Sequence, residues 1–112
     1  MLAKVNRVTT LNDFQRATRT GRKAGTKNFI VHIAKNDLAV TRFGYVVSKT
    51  VGNSVVRHTL TRKLREISRE QLTMLPEGYD IVVRALAGGE TLTSAEIRKQ
   101  IAPNIQRVLK KF

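Results

Sequence analysis

Between residues 48 and 70 the chain reads SKTVGNSVVRHTLTRKLREISRE, which gathers Lys49, Arg57, Arg62, Lys63, Arg65 and Arg69 into one span. A guanidinium presents paired, planar donors that match the oxygens of a phosphate, a fit that lysine does not reproduce. The chemistry open to this cluster is capture of a phosphate backbone rather than bond making. Bond-making groups are scarce elsewhere. Without cysteine the chain has no disulfide, no thiolate metal site and no sulfur nucleophile. Its acids are few and scattered, and no His/Asp/Glu set has metal-ligand spacing. Ala87-Gly88-Gly89-Glu90 does not match a phosphate loop. We therefore expect no catalytic residue, no metal ligand and no cofactor bound by the protein alone.

The same span is periodic. On a helical turn of 3.6 residues, Val56, Leu60, Leu64 and Ile67 share a stripe about 80° wide. Arg57, Arg65, His58, Arg69 and Arg62 follow on an adjoining arc of about 140°. Glu66 and Glu70 lie further round, where they can pair with Arg62 and Arg69. A charged arc is ordinarily a solvated face. Here the arc has one sign and is rich in arginine, and Asn53-Ser54 at its start offers free N–H groups and a positive dipole end beside Lys49. The rest of the chain is also basic, with 21 Lys and Arg against 8 Asp and Glu, a net charge of +13. A polyanion offsets repulsion of that size, and nucleic acid is the usual one. An anionic membrane would call for an aromatic-faced basic helix or a lipidation signal, and the sequence has neither.

The elements that position this helix follow from pattern. The 112 residues suit one domain with a core of Val, Ile and Leu, since aromatics make up only 5%. The spacing predicts a helix over 12–19 capped by Asn12, a short basic strand or turn between Gly21 and Gly25, and a strand over 28–35. That strand alternates Phe29, Val31 and Ile33 with Ile30, His32 and Ala34. A turn at Asn36-Asp37 and a β-rich run over 38–48 predict a hairpin. The helix over 54–73 ends at Pro76 and Gly78. Residues 79–85 read as a strand buried on both faces, and the loop after them leads to a capping box at Thr93 and Glu96. A last helix over 94–111 contains Pro103. This is an α+β domain with a mixed sheet in the order α-β-β-β-α-β-α, in which 42–48 and 79–85 are parallel neighbours. The start of the chain has no signal-peptide run and no stretch approaches a membrane span, so the chain is expected in the cytoplasm.

Val47-Ser48-Lys49 and Val51-Gly52-Asn53-Ser54-Val55-Val56-Arg57, followed by Arg62, Leu64, Arg65 and Glu66, resemble the strand end and basic helix of the bacterial ribonuclease P protein component. Asp13-Phe14-Gln15-Arg16 and Leu75-Pro76-Glu77-Gly78-Tyr79-Asp80-Ile81-Val82-Val83 resemble the same family in order and spacing, so the likeness spans about Arg7 to Leu109. The chain departs at Arg57-His58-Thr59, where the family has Arg-Asn-Arg, and at Thr61 in place of Lys. Thr18 and His32 stand where the family commonly has aromatics.

The resemblance implies a subunit that binds a catalytic RNA and assists cleavage of the 5′ leader from precursor tRNA, with one protein per RNA. The chemistry belongs to the RNA with Mg2+. It also implies a left-handed crossover between the parallel strands, where the general rule gives a right-handed one. Lys49, Asn53, Arg57, His58, Arg62, Lys63, Arg65 and Arg69 are the candidate contacts to the catalytic RNA. Phe14, Arg16, Phe29 and His32 are the candidates for the leader, because single strands are gripped by stacking. Phe29 reads equally as core. Arg22 and Lys23 share in the basic field, and Arg107, Lys110 and Lys111 read as a solvated helix end. Asp80 reads as a turn residue. The alternatives are a ribosomal or chaperone-type RNA-binding module and a DNA regulator, the latter weakened by the lack of a helix-turn-helix pair.

Overall fold

The computed structural model describes residues 2–112. Its elements run α1 (Leu11–Thr20), β1 (Arg22–Gly25), β2 (Phe29–Lys35), β3 (Arg42–Val46), α2 (Ser54–Leu72), β4 (Tyr79–Ala85) and α3 (Ser94–Leu109). This is the α+β order that the sequence predicts. Side chains set the helix starts by satisfying free backbone N–H groups. Asn53 accepts from the Val56 N–H at 3.0 Å, and Thr93 with Glu96 forms the reciprocal capping box. The expected cap at Asn12 is wrong. Thr10 caps α1, because its hydroxyl reaches the Asp13 N–H at 3.2 Å and the Asp13 carboxylate at 2.8 Å.

The strands form one sheet in the order β1-β2-β4-β3. β2 pairs antiparallel with β1 and with β4, whereas β3 pairs parallel with β4. The expected hairpin between β2 and the run after it is therefore absent. β4 takes the slot beside β2 because Ile81, Val82 and Val83 have no exposed surface and need cover on both faces. The Asn36 side chain builds the bypass. Its Oδ1 accepts from the Leu38 N–H at 2.8 Å, and its Nδ2 donates to the Val40 carbonyl at 3.0 Å. Thr41 then ties the loop to the start of β4, donating to the Pro76 carbonyl at 2.6 Å and accepting from the Tyr79 N–H at 3.2 Å.

The pleat divides the sheet into two faces. On one, Phe29, Val31, Ile33, Phe43, Ile81 and Val83 meet Leu60, Leu64 and Ile67 of α2 and Ile97, Ile101, Ile105 and Val108 of α3 in the main core. Each fully buried aliphatic side chain contributes roughly 1.5–3 kcal/mol. Val56, expected in this stripe, is only half-buried near the N-terminal end of α2, where the core thins. On the other face, α1 covers Ala34 and Val82 with Ala17 and Phe14. Gly44 makes that approach possible, since a Cβ there would lie 2.6 Å from the Phe14 ring.

One carboxylate fixes α1 to this face. Asp80 is the second residue of β4 rather than a turn residue, and it has no exposed surface. Arg42 of β3 donates to both its oxygens at 2.8 and 2.7 Å, Arg16 of α1 donates at 2.7 Å, and Asn36 at 2.9 Å. Asp13 of α1 closes the network on Arg42 at 3.2 Å. Burial alone would raise the pKa of Asp80. Its bonds to Arg42, Asn36 and Arg16 outweigh that and hold the carboxyl below its ordinary value.

The sign of the pH effect follows. A carboxyl depressed in the fold stabilises it fully above the unfolded value of about 3.9, and that contribution disappears as pH falls through the folded value. Asp80→Asn should cost roughly 3 kcal/mol at neutral pH, because it leaves two guanidiniums without their anion. Urea unfolding from pH 7 to pH 2 should show that loss at pH 7 and a flatter acid limb in the variant. Equal stability of the two proteins at pH 7 would refute this account.

Candidate nucleic-acid interface

The two faces of α2 separate as its periodicity requires. Leu60, Leu64 and Ile67 are buried, while His58, Arg62 and Arg69 are exposed and Arg57 and Arg65 are half-buried along the flank. Lys49 and Asn53 are exposed at the N-terminal end, beside the positive end of the helix dipole. Lys63, also a candidate contact, lies outside the arc. It donates to the Leu92 carbonyl at 3.2 Å and holds the loop before α3.

Among the described residues, the acids of α2 touch the arc at Arg69 alone. Glu66 pairs with Arg69 at 3.0 Å with both side chains more than half exposed, where solvent and salt screen the contact. Glu70 does not pair with Arg69. It reaches Arg98 of α3, which binds both its oxygens at 2.9 and 3.1 Å and clasps the two helices together. Among the described residues, Arg57, Arg62 and Arg65 have no carboxylate within 4 Å.

Arg57 and Arg65 line a cleft of about 390 Å³ between α2, β3 and the segment ahead of α1. Arg7, Phe14 and Tyr45 line it too, and the Nε atoms of Arg57 and Arg65 are shielded there with no acceptor in the protein. Arg7 grips the Leu2 carbonyl at 3.1 and 2.8 Å, which fixes its charge at the rim. Burial pushes the Tyr45 hydroxyl up to about 12, so it stays neutral and donates to Ser68 at 2.8 Å. Sequence reading missed Arg7 and Tyr45. Neither has a periodic partner, and only the fold brings them beside α2.

The cleft opens toward the α1 face of the sheet. Register places Lys23, His32, Val82 and Gly44 in one cross-strand row on that face, with Gly25, Ile30, Arg84 and Val46 in the next. Arg84 is exposed, whereas Ile30 and Val46 are half-buried, so this second row and the adjoining His32 floor an open strip beside α1. Arg84 was also missed, although it is the one cation of β4. Phe14 is half-buried at the edge of the strip.

The other leader candidates fall in different places. Phe29 is a correction: it has no exposed surface and points into the main core, on the face away from α1. Arg16 turns one guanidinium nitrogen to Asp80 and Asp13, and so anchors α1. His32 is 4% exposed in the floor of the strip, and neither ring nitrogen has a partner. Burial first, then the charges of Arg84 and Lys23, lower its pKa and keep the ring neutral. Among the described residues no group of three or more His, Asp or Glu could hold a metal ion, and no helix is long and apolar enough to cross a membrane.

Known proteins match this arrangement over nearly its whole length. The family model described as Ribonuclease P matches residues 2–111. The ribonuclease P protein component of Rhodococcus jostii is 37% identical over 115 residues, covering 96% of this chain and 92% of the relative. That of Streptomyces griseus is 37% identical over 118 residues, covering 97% and 96%. Among solved structures, the RNase P protein of Staphylococcus aureus superposes with a TM-score of 0.80 at 29% identity, over 96% of this chain and 94% of that one. The RNase P protein of Thermotoga maritima gives 0.82 at 26% identity, over 91% and 96%. Charge and periodicity alone were equally consistent with a ribosomal or chaperone-type RNA binder. A match along the full sequence and the full fold leaves one assignment: the chain belongs to the ribonuclease P protein family.

Proposed function

We infer that this chain, as a protein subunit of ribonuclease P, divides its surface between two RNAs. The enzyme is an endoribonuclease that matures the 5′ ends of tRNA, with its chemistry in the RNA subunit. In our reading, Arg57, His58, Arg62, Arg65 and Arg69, with Lys49 and Asn53 at the helix start, bind the catalytic RNA. The strip beside α1, edged by Phe14 and Arg84 and floored by His32, holds the 5′ leader of precursor tRNA. One observation carries this division: the cleft of about 390 Å³ joins Phe14 to Arg57 and Arg65, so the two surfaces are continuous. Backbone phosphates meet guanidiniums on one side, and splayed bases meet an aromatic edge on the other.

The protein contributes binding and position. The Asp80 network sets the distance from α1 to β3 and β4, and with it the width of the strip. Mg2+ supplies the metal-ion chemistry of hydrolysis, and in this reading the RNA holds it. We place the complex in the cytoplasm with one protein per catalytic RNA, a ratio that the mass of the reconstituted particle checks.

Reconstitution tests the function. Cleavage of precursor tRNA by the cognate catalytic RNA at low Mg2+ should rise sharply when this protein is added, and the absence of a rise would sink the reading. Arg57→Ala and Arg65→Ala should each weaken binding to the catalytic RNA. Each should also flatten the log–log salt dependence by roughly 0.7–0.9 per lost phosphate contact. An unchanged slope would make both side chains bystanders. Phe14→Ala should lower affinity for precursor tRNA by roughly tenfold, in line with one lost stack of 1–3 kcal/mol, and spare mature tRNA. Equal losses on both substrates would point to a damaged fold instead.

A further inference from the structure

We propose that β1 and the last turn of α3 form a second phosphate-binding surface, which takes the part of the leader that extends beyond the strip beside α1. The proposal rests on the reading that the leader lies in that strip. The surface unites cations that are remote in sequence. Asn104 donates to the Ala24 carbonyl at 2.8 Å, Lys111 donates to the Lys23 carbonyl at 2.7 Å, and the Arg22 guanidinium lies 5.6 Å from the centre of the Phe112 ring. These three contacts pin the end of α3 along β1, so Arg22, Lys23, Lys27, Arg107, Lys110 and Lys111 line the β1 edge, Lys23 on the α1 face and Arg22, in register with Ile33, on the α3 face. All six are exposed.

The surface has a single sign. Neither segment that builds it contains an acid: there is no Asp or Glu from Phe14 to Asn36, and none after Glu96. Among the described residues, none of the six cations has a carboxylate within 4 Å. A lysine on an edge strand blocks edge-to-edge pairing, and a lysine at a helix end suits the dipole. Those roles account for one or two of the cations, not for six without an anion. Such a field attracts a polyanion and binds its phosphates.

Position identifies which polyanion. β1 is one edge of the sheet and β3 the other. The α2 arc and its cleft lie on the β3 side. Lys23 pairs in register with His32, so it stands at the β1 margin of the strip, beside Gly25 at the end of the strip's second row. Three strand spacings, about 14 Å, carry a chain across the sheet. A leader of more than a few nucleotides that enters beside Phe14 therefore leaves over Lys23 and meets the cations of α3. The shared chemistry is an RNA phosphate backbone, and the leader is the RNA that reaches this edge.

The test uses the reconstituted holoenzyme with the triple variant Lys27→Gln, Arg107→Gln, Lys110→Gln. These side chains are outside the core, and a thermal melt checks that the fold is retained. Binding is measured for mature tRNA, for precursor with a leader ending inside the strip, and for precursor with a leader extended past β1. The wild type should bind the extended leader more tightly than the short one. The variant should lose roughly tenfold on the extended leader, and its salt slope there should fall by roughly 2 for three lost contacts. Its affinity for the short leader and for mature tRNA should not change. Unchanged dependence on leader length would overturn the proposal, as would equal losses on all three substrates. A loss in binding the catalytic RNA without substrate would overturn the assignment to the leader. Phe14→Ala separates the two readings: if it leaves short-leader affinity intact, the strip itself is wrong. A loss there beside a wild-type-like triple variant leaves the strip and removes only the second surface.

Discussion

A carboxylate with no exposed surface holds together the three elements on which the interface depends. Asp80 sits in the central strand, accepts from Arg42 on one neighbouring strand and from Arg16 on α1, and takes a fourth bond from the Asn36 turn. Removing such a group from water is costly, and only several charge-assisted bonds at once offset that cost. The same requirement gives the network its geometric precision. Because each bond serves to satisfy a buried charge, α1 cannot drift over the sheet without leaving Asp80 or its arginines unpaired. The strip between α1 and the exposed Arg84 is thus set by an ion network, with Gly44 removing the one side chain that would push Phe14 outward.

The acids of this chain act mostly as internal fasteners. Asp80 and Asp13 hold α1 to the sheet, Glu70 holds α2 to α3 through Arg98, and Glu96 caps α3. Carboxylates used inside or between elements cannot neutralise the outer surface, so the excess of cations is left facing solvent in coherent patches. That arrangement weakens the isolated protein through self-repulsion and strengthens its attraction to RNA, and both effects fall with salt. A strongly basic domain can therefore keep a specific fold: its few anions sit where a paired charge carries positional information, and most of its cations lie outside those pairs.

The sheet has two faces with different duties. One is sealed by Leu, Ile and Val from α2 and α3. The other is only partly covered by a short helix, which leaves a strip with a neutral buried histidine in its floor. Alternation along β2 made both faces visible without saying which was open. Phe29 and His32 are on opposite faces, and the aromatic ring belongs to the sealed one. An aromatic in a strand is a stacking platform only if no helix covers its side of the sheet, and that depends on elements far away in the chain.

Features that depend on neighbours three or four residues apart could be read from the residues alone. The α2 stripe and arc, its Asn53 cap, the Thr93–Glu96 box at α3 and the doubly buried β4 were all legible, because helical and strand periods and caps are local constraints. The family resemblance was carried by the same local stretches. Pairing across distance emerged only once the whole chain packed. Adjacent runs suggested a β2–β3 hairpin, but β4 has the stronger need for cover and took the central place. Arg16 read as a free cation until Asp80, 64 residues later, claimed it. Lys23 read as a share of the basic field and Lys111 as a solvated helix end until the end of α3 was laid against β1, across 88 residues. The physical reason is the same in each case: local pattern fixes which face a side chain takes, whereas its partner is set by which buried groups must be satisfied once all the elements pack together.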